Sequence, residues 1–459
     1  MTSLRNFSFA RRTLSVALLL TSVFFTGLAF SPISAQQAAD QQPVANETPE
    51  LAAFRQAVGG SIIPLIVELK RDPAVLHRHA EEQAGRPMSE DDLMAYMREL
   101  LVEQNDFLGQ LSTRGVRALM RQTNVTQLDG AARPIQYRFA YLLNGFVAYV
   151  ASDDVERLKA QPEVAHVSEP VQAEFHLDRA IDYSLGTQPN PADRRTAVYG
   201  ATQEFRPVDT GANPETPRPK IDGFEGQGQN IAIIDSGVDY RHPMFGGIGQ
   251  QTQPPRVSGR PESPNDNKKV IYFYTFNEPL GDPTDDFGHG TLVASCSSGF
   301  TVDGNTPPRA GYGTGLDGRG VGPTPNGAQL FGTAPQSRIM AYKVCGPAPN
   351  CAGDIELSME DAASPVTLVG SSDGSTSVPT MIRKPVADVI NLSLGDTTGN
   401  PAGSTARAAN NAALAGTILV ASAGNSGAPG AAGDGTIGSP SAATLAISVA
   451  ASLDPNSVG

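Results

Sequence analysis

Six short runs of β-branched and other apolar residues follow Gly226, and the segments between them are rich in small residues. The runs are Asn230–Ile234, Lys269–Phe273, Arg338–Val344, Ala387–Leu392, Thr417–Ala421 and Leu445–Val449. Continuous apolar runs of this length, separated by crossovers, are typical of parallel strands that are buried on both faces. We therefore predict an α/β fold over residues 226–459, built on a doubly wound parallel sheet.

Composition agrees with this architecture and excludes one class of partner. The chain has 459 residues, enough for two or three domains, and its 47 Gly and 36 Pro are typical of a loop-rich α/β protein. The formal net charge is −13. A nucleic-acid-binding protein needs clustered Lys and Arg, so we expect no nucleic-acid partner.

The first 35 residues have the pattern of an export signal. Three arginines (Arg5, Arg11 and Arg12) precede an apolar run from Leu14 to Phe30, and a small-residue cleavage pattern ends at Ala35. The alternative is a membrane anchor, but the run is short and a polar stretch follows it. We therefore predict a signal peptide at 1–35, no stable membrane anchor, and an extracellular or periplasmic protein.

A small α+β domain is predicted before the sheet domain. Residues 36–60 are interpreted as a linker, and residues 176–225, rich in Pro, Asp, Arg and Thr, as a second linker. Between them, 61–175 has a β-α-β-β-α-β order, the split βαβ pattern. Its predicted elements are a strand at Ser61–Lys70, a helix capped by Ser89, a hairpin around Asn144-Gly145, a short helix after Ser152 and a strand at Val164–Val171.

The chain contains three cysteines. Cys345 and Cys351 could close a small loop by a disulfide in an oxidising compartment, or both could be unpaired thiols, and the sequence leaves this open. Cys296 lies in a small-residue helical pattern and is interpreted as packing.

Three polar residues follow or flank predicted strands in a way that indicates acyl-transfer chemistry. Asp235 ends a buried strand, His289 begins a small-residue helix, and Asn425 lies in a glycine-flanked turn after another strand. A carboxylate, an imidazole and an amide can serve as orienting group, general base and oxyanion donor. Each motif alone is weak, but the three in this order are specific.

These motifs resemble those of the subtilisin-like serine proteases, the subtilases, over residues 226–459. The resemblance rests on Asp235-Ser-Gly-Val-Asp-Tyr-Arg-His-Pro, Gly288-His-Gly-Thr, Asn391-Leu-Ser-Leu-Gly and Asn425. It implies a secreted endopeptidase that acts on protein or peptide substrates through an Asp-His-Ser triad. It further implies that substrate is bound by Ser393, Leu394, Gly395, Ala423 and Gly424.

The same resemblance implies a role for residues 61–175 and raises the question of calcium. This segment is similar to the family's propeptide, an intramolecular inhibitor that assists folding, so the processing site is expected within about 172–225. Structural calcium is frequent in the family, but no acidic cluster here has a recognisable ligand spacing, and we assign neither a metal site nor a cofactor.

The nucleophile expected of a subtilase is missing from the sequence. No Gly-Thr-Ser occurs in the chain, and the nearest string after Asn425 is Gly435-Thr436-Ile437. We expect the chain alone to be inactive. The sequence permits two explanations, truncation of a longer protease, which we favour, or a pseudoprotease that kept the fold.

The sequence also permits another function class, in which 61–175 is an inhibitor or folding module fused to an inert partner domain. An α/β-hydrolase is disfavoured because no Gly-x-Ser-x-Gly elbow follows a strand with Asp and His downstream.

Overall fold

The computed structural model describes the following parts of the chain: 48–126, 132–171, 173–175, 226–240, 242–245, 269–275, 285, 287–299, 302–303, 329–330, 332–334, 336–344, 354–370, 378–397, 399–425 and 437–450. The predicted signal peptide, the linker at 176–225 and the Cys345/Cys351 pair lie outside the described residues.

The N-terminal part is an α+β sandwich. Its helices are α1 (Pro49–Val58), α2 (Ala74–Gln83), α3 (Glu90–Leu111) and α4 (Val155–Lys159), with a 3₁₀ turn at Ser152–Asp154. Its strands are β1 (Ile62–Leu69), β2 (Ala118–Met120), β3 (Gln122–Thr126), β4 (Ala132–Gln136), β5 (Arg138–Phe139), β6 (Gly145–Ala151) and β7 (Val164–Ser168). An antiparallel sheet runs in the order β2-β6-β1-β7, with β5 also paired to β6, while β3 and β4 form a separate ribbon.

Local sequence explains the long helix and the central hairpin of this part. Ser89 caps α3 in a capping box with Asp92, and three acidic residues in the first turn suit the positive end of the helix dipole. Gly145 begins β6 and lies opposite Glu68 of β1. A Cβ at Gly145 would lie 1.9 Å from the Val67 carbonyl oxygen, so only glycine permits this pairing.

The C-terminal part is built on a six-stranded, all-parallel sheet. Its strands are β9 (Asn230–Asp235), β10 (Val270–Thr275), β13 (Arg338–Lys343), β16 (Val389–Leu392), β18 (Ile418–Ser422) and β19 (Ile447–Val449), in the order β10-β13-β9-β16-β18-β19. The described part also has the shorter strands β8 (Glu174–Phe175), β11 (Val302–Asp303), β12 (Gln329–Leu330), β14 (Val366–Val369), β15 (Thr380–Arg383) and β17 (Leu394–Gly395). All six predicted strands are confirmed as members of the parallel sheet.

Helices cover both faces of this sheet. They are α5 (His289–Ser298), α6 (Asp354–Ala363) and α7 (Ser404–Leu414), and a 3₁₀ turn spans Pro243–Phe245. Alternate residues of the central strand β9 enter different clusters, because successive side chains of a strand point to opposite faces. Ala232 and Ile234 pack with α6 and α7, whereas Ile231 and Ile233 pack with α5. The doubly wound α/β prediction is therefore confirmed.

Three segments differ from the sequence-based expectations. The interpretation of 36–60 as a plain linker missed α1, which begins after the capping residue Thr48. Helix α2 was also not predicted. The antiparallel pair β14–β15 within 364–384 was not predicted either.

Strand β19 lies at the end of the parallel sheet, and within the described residues it pairs on one side only, with β18. Ile447 is 53% exposed and Val449 is 49% exposed. Among the helices that the structure describes, none is long and apolar enough to cross a membrane.

Candidate active site

The candidate site lies at the carboxyl edge of the parallel sheet, where β9, β16 and β18 end side by side. Asn391 of β16 pairs with Ile233 of β9, and Leu392 pairs with Ala421 of β18. The residues that follow these strands are therefore neighbours at one edge. This is the edge at which open α/β sheets place their ligands.

Asp235 and His289 form a buried pair. Asp235 is the last residue of β9 and His289 is the first residue of α5, and His289 Nδ1 lies 2.7 Å from Asp235 Oδ1. Asp235 is 0% exposed and His289 is 7% exposed. A carboxylate on Nδ1 fixes the tautomer of the imidazole, so that Nε2 can act as a base.

Burial raises the pKa of the Asp235 carboxyl, and the hydrogen bonds with His289 and with the Ser236 amide N–H oppose this rise. The nearby Asp285 carboxylate raises the pKa of Asp235 further. Hydrogen bonds to a buried carboxylate compensate for lost hydration, and among the described residues Asp235 Oδ2 has no such partner.

A glycine brings the two residues together. A Cβ at Gly290 would lie 2.1 Å from the Gly237 carbonyl oxygen and 3.1 Å from Asp235 Oδ1. Helix α5 can therefore approach the turn after β9 only because position 290 carries no side chain.

Asp285, which was not singled out from the sequence, organises the start of α5. Its Oδ1 accepts hydrogen bonds from the Ser236 hydroxyl at 2.8 Å and from the amide N–H groups of Phe287 and Gly288, and its Oδ2 accepts from the Thr291 amide N–H at 2.8 Å. The Ser236 hydroxyl in turn accepts from the Gly290 amide N–H. The available signal was an acidic residue shortly before a predicted helix start, which is typical of an N-terminal cap.

The predicted substrate-binding residues lie at the same edge. Leu394 and Gly395 are buried and form β17, directly after β16, while Ser393 is half-buried and accepts a hydrogen bond from the Asn391 amide. Ala423 and Gly424 follow β18 and are half-buried. Asn425 follows them and is exposed.

The short strand β8 pairs with the predicted substrate-binding strand β17. The pairing is antiparallel, with Phe175 opposite Leu394 and Glu174 opposite Gly395. A short segment from the end of the N-terminal part thus occupies the predicted substrate-binding edge as a strand.

A second buried carboxylate joins the two parts of the chain. The carboxylate of Glu360, in α6, accepts hydrogen bonds from the amide N–H groups of Ala140 at 2.7 Å, Tyr141 at 2.5 Å and Leu142 at 2.6 Å. We call this arrangement the Glu360 cradle. Burial raises the pKa of the Glu360 carboxyl to about 7, and the backbone hydrogen bonds oppose that rise.

Other polar contacts surround the cradle. Arg407 of α7 forms an ion pair with Glu68, and the Asn411 amide donates to the Leu142 carbonyl at 2.6 Å. Arg121 lies 3.5 Å from Asp354, whose pKa burial raises to about 6. None of these residues was singled out from the sequence.

Within the described residues, no group of three or more His, Cys, Asp or Glu is arranged to hold a metal ion.

The family model for the subtilase family matches residues 226–458, just over half of the chain. The chain belongs to the subtilase family. The match spans the strand that ends in Asp235, the helix that begins with His289 and the turn that contains Asn425.

Relatives of this subtilase include secreted and plant proteases. It is 30% identical over 239 residues to the minor extracellular protease Vpr of Bacillus subtilis, covering 51% of this chain and 22% of the relative. It is 25% identical over 281 residues to the subtilisin-like protease SBT4.15 of Arabidopsis thaliana, covering 56% of this chain and 30% of the relative. This subtilase thus spans less than a third of either relative's length.

Among solved structures, this subtilase is similar to sphericase, with 26% identity, a TM-score of 0.28, and coverage of 50% of this chain and 56% of that chain.

Proposed function

We propose that this subtilase is part of a secreted serine endopeptidase. It supplies the base and the orienting carboxylate of an Asp-His-Ser triad, together with a separate donor for the oxyanion. The observation that carries the proposal is the buried contact of 2.7 Å between Asp235 Oδ1 and His289 Nδ1 at the carboxyl edge of the sheet. Family membership supports the peptidase class.

Each residue has a definite task in the proposed mechanism. His289 Nε2 takes the proton of the attacking serine hydroxyl and later gives it to the leaving amine, while Asp235 stabilises the imidazolium that forms in between. Asn425 donates to the oxyanion. Loss of one such donor costs roughly 3 kcal/mol of transition-state stabilisation, a value that comes from a subtilisin itself.

We further propose that the present 459 residues do not hydrolyse peptides, because they contain no Gly-Thr-Ser motif for the nucleophile. The test is hydrolysis of a chromogenic peptide by the purified chain, with His289→Ala as the control. We expect the two proteins to give the same background rate. A rate above background that His289→Ala abolishes would overturn this proposal and would point to a nucleophile within the chain.

The N-terminal part, over residues 61–175, is proposed to be the intramolecular inhibitor of this enzyme. Two contacts support this role: β8 occupies the edge of β17, and the Glu360 cradle binds three consecutive backbone N–H groups. A peptide strand that adds to an exposed edge gains affinity from main-chain hydrogen bonds whatever its sequence, which suits an inhibitor that mimics substrate.

A matched pair of variants tests the inhibitor role. In a chain cut within 176–225 at an engineered protease site, Glu360→Gln is expected to release the N-terminal part more readily. Glu356→Gln is the control, because Glu356 is buried on the same helix but accepts from the hydroxyls of Ser404 and Thr405, both in the C-terminal part. Equal retention of the N-terminal part by both variants would count against the inhibitor role.

The route of export is part of the proposal. The pattern of basic, apolar and small residues at 1–35 supports secretion, and the relative from Bacillus subtilis is named an extracellular protease. N-terminal sequencing of the protein recovered outside the cell is expected to begin close after Ala35 or, if processing occurs, within 172–225. Recovery of a membrane-bound chain with an intact N-terminus would overturn the export proposal.

A second candidate is an inhibitor or folding module joined to an inert subtilase domain. The separate hydrophobic cluster of the N-terminal part supports it, since Leu65, Val67, Phe107, Phe146 and Leu158 pack there without residues of the parallel sheet. Titration of residues 61–175 against an active subtilase distinguishes the candidates. Failure to inhibit removes this second reading.

A further inference from the structure

The pairing of β8 with β17 fixes both the polarity and the position of the segment that occupies the substrate-binding edge. Because Phe175 lies opposite Leu394 and Glu174 lies opposite Gly395, β8 runs toward the Ser393 end of β17. That end joins β16, which pairs with the strand that carries Asp235. The segment therefore approaches the catalytic edge with its carboxyl end leading.

Backbone pairing alone gives little sequence selectivity, since every residue except proline offers the same N–H and carbonyl groups. Selectivity requires a side chain that is enclosed by the cleft. Ala173, directly before β8, is 4% exposed and belongs to the same hydrophobic cluster as Leu392 and Leu394. Val171 packs against this cluster from a half-buried position.

Ala173 lies two residues before Phe175, the partner of Leu394, and alternate residues of a strand point to the same face. Its side chain therefore lies on the face of Leu394, which is 0% exposed and part of the packed core. Packed cores resist added methylene groups, because a larger side chain forces neighbouring side chains or backbone to move. A leucine in place of this alanine would therefore displace the strand that follows it.

We propose that the peptide-binding edge of this subtilase selects substrates with a small side chain, alanine or glycine, at the position that Ala173 occupies, two residues before the residue opposite Leu394. The proposal rests on the proposed peptidase function, since it describes which substrates the peptide-binding edge selects. Ala173, in the chain's own inhibitory segment, then satisfies the same preference that a substrate must satisfy at this position.

The first test uses hydrogen exchange in the intact chain. Ala173→Leu is expected to speed amide exchange at Leu394 and Gly395 at least tenfold, whereas Ala173→Gly leaves it within threefold of the original chain. Ala160→Leu, the same substitution at an exposed alanine, is the control and changes nothing at β17. The β1–β6 pairing must remain protected in every variant, which separates local displacement from global unfolding. Unchanged exchange at β17 in Ala173→Leu would overturn the proposal.

The second test supplies the segment in trans. A blocked peptide of residues 171–175, Val-Gln-Ala-Glu-Phe, is expected to restore protection at Leu394 and Gly395 in the Ala173→Leu chain. The same peptide with leucine at its third position is expected to need at least tenfold higher concentration. Equal potency of the two peptides, or no restoration by either, would refute small-residue selection. Both measurements report binding and not hydrolysis. They can therefore contradict small-residue selection while the proposed peptidase function stands, and they can agree with it while the peptidase function fails.

Discussion

Asp235 and Glu360 are both buried carboxylates, 0% and 3% exposed, yet their partners come from very different distances along the chain. Asp235 contacts His289, 54 residues away, within the C-terminal part. Glu360 contacts backbone amides 218 to 220 residues away, all in the N-terminal part. The first contact fixes the imidazole of His289 within the C-terminal part, whereas the second joins the N-terminal part to the C-terminal part.

The difference also appears in what each carboxylate accepts. Asp235 forms its hydrogen bond with one particular side chain, the imidazole of His289, while the Glu360 cradle accepts hydrogen bonds from backbone N–H groups that almost any sequence provides. Substitution of either Asp235 or His289 therefore removes the first contact. The second contact is removed mainly by substitution of Glu360, because its donors are backbone groups.

The largest effect is expected from adding a side chain at Gly290, where α5 lies against the turn after β9. Gly290→Ala places a Cβ 2.1 Å from the Gly237 carbonyl oxygen, so the backbone must shift, and we expect the free energy of unfolding to fall by about 3 kcal/mol. The control is Gly109→Ala in α3, where a Cβ would meet nothing within 4 Å. That variant should gain roughly 0.5–1 kcal/mol, because alanine favours helix. Chemical denaturation measures both, and equal effects would show that close approach at 290 is not required.

The next effect concerns the docking site. Glu360→Gln replaces one carboxylate oxygen by an amide N–H group, which cannot accept a hydrogen bond from the backbone. We expect the N-terminal part to be held less strongly by about 2 kcal/mol, with no change for Glu356→Gln. Dissociation of the cut chain, followed by size-exclusion chromatography, measures the difference.

The docking site is also expected to depend on pH. The pKa of Glu360 is about 7 while docked and should return toward the ordinary 4.5 once the carboxyl reaches water. Asp354, beside Arg121, has a pKa of about 6 while docked. Docking therefore takes up protons, so its stabilisation is complete below about pH 4.5 and is lost as the pH rises through 6 to 7.

We expect the cut chain to dissociate at least tenfold more readily at pH 8 than at pH 5.5, and Glu360→Gln to flatten this dependence. A dissociation constant that is constant over this range, or tighter docking at pH 8, would show that the carboxyl groups stay ionised in the docked state.

The smallest effect is expected at Asp285. Asparagine caps helices about as well as aspartate, so Asp285→Asn should keep most contacts at the start of α5 and cost about 1 kcal/mol. Removing this negative charge should also lower the pKa of Asp235, because Asp285 raises it. Denaturation and an NMR titration of the carboxyl groups check the two expectations. A loss far above 1 kcal/mol would mean that the charge, and not the cap geometry, holds this corner together.

The parts of the molecule that the sequence could predict are those set by local pattern. The six strands of the parallel sheet follow from runs that are apolar on both faces, and the start of α3 follows from the Ser89 cap. The pairing of Asp235 with His289 was predictable from the order of short motifs. Each strand run, cap and motif is contained within about ten residues, and the Asp235–His289 pairing needed in addition the order of two such motifs along the chain.

The parts that were missed depend on distant partners or on weak local patterns. Nothing near Glu360 in the sequence indicates that its carboxylate will meet backbone amides from more than 200 residues earlier. Asp285 acts through four donors spread over two segments. Helix α1 has only ten residues, of which Leu51 alone is buried, so its apolar pattern is short. The predictions for the signal peptide and for the pairing of Cys345 with Cys351 remain predictions.

The one-sided pairing of β19 has a consequence for handling this protein. Among the described residues β19 pairs only with β18 and exposes Ile447 and Val449, and an apolar edge strand of this kind is the feature from which sheets extend between molecules. Purified at high concentration, the 459-residue chain is therefore expected to aggregate through this strand, and its soluble yield is expected to be limited by self-association before it is limited by folding.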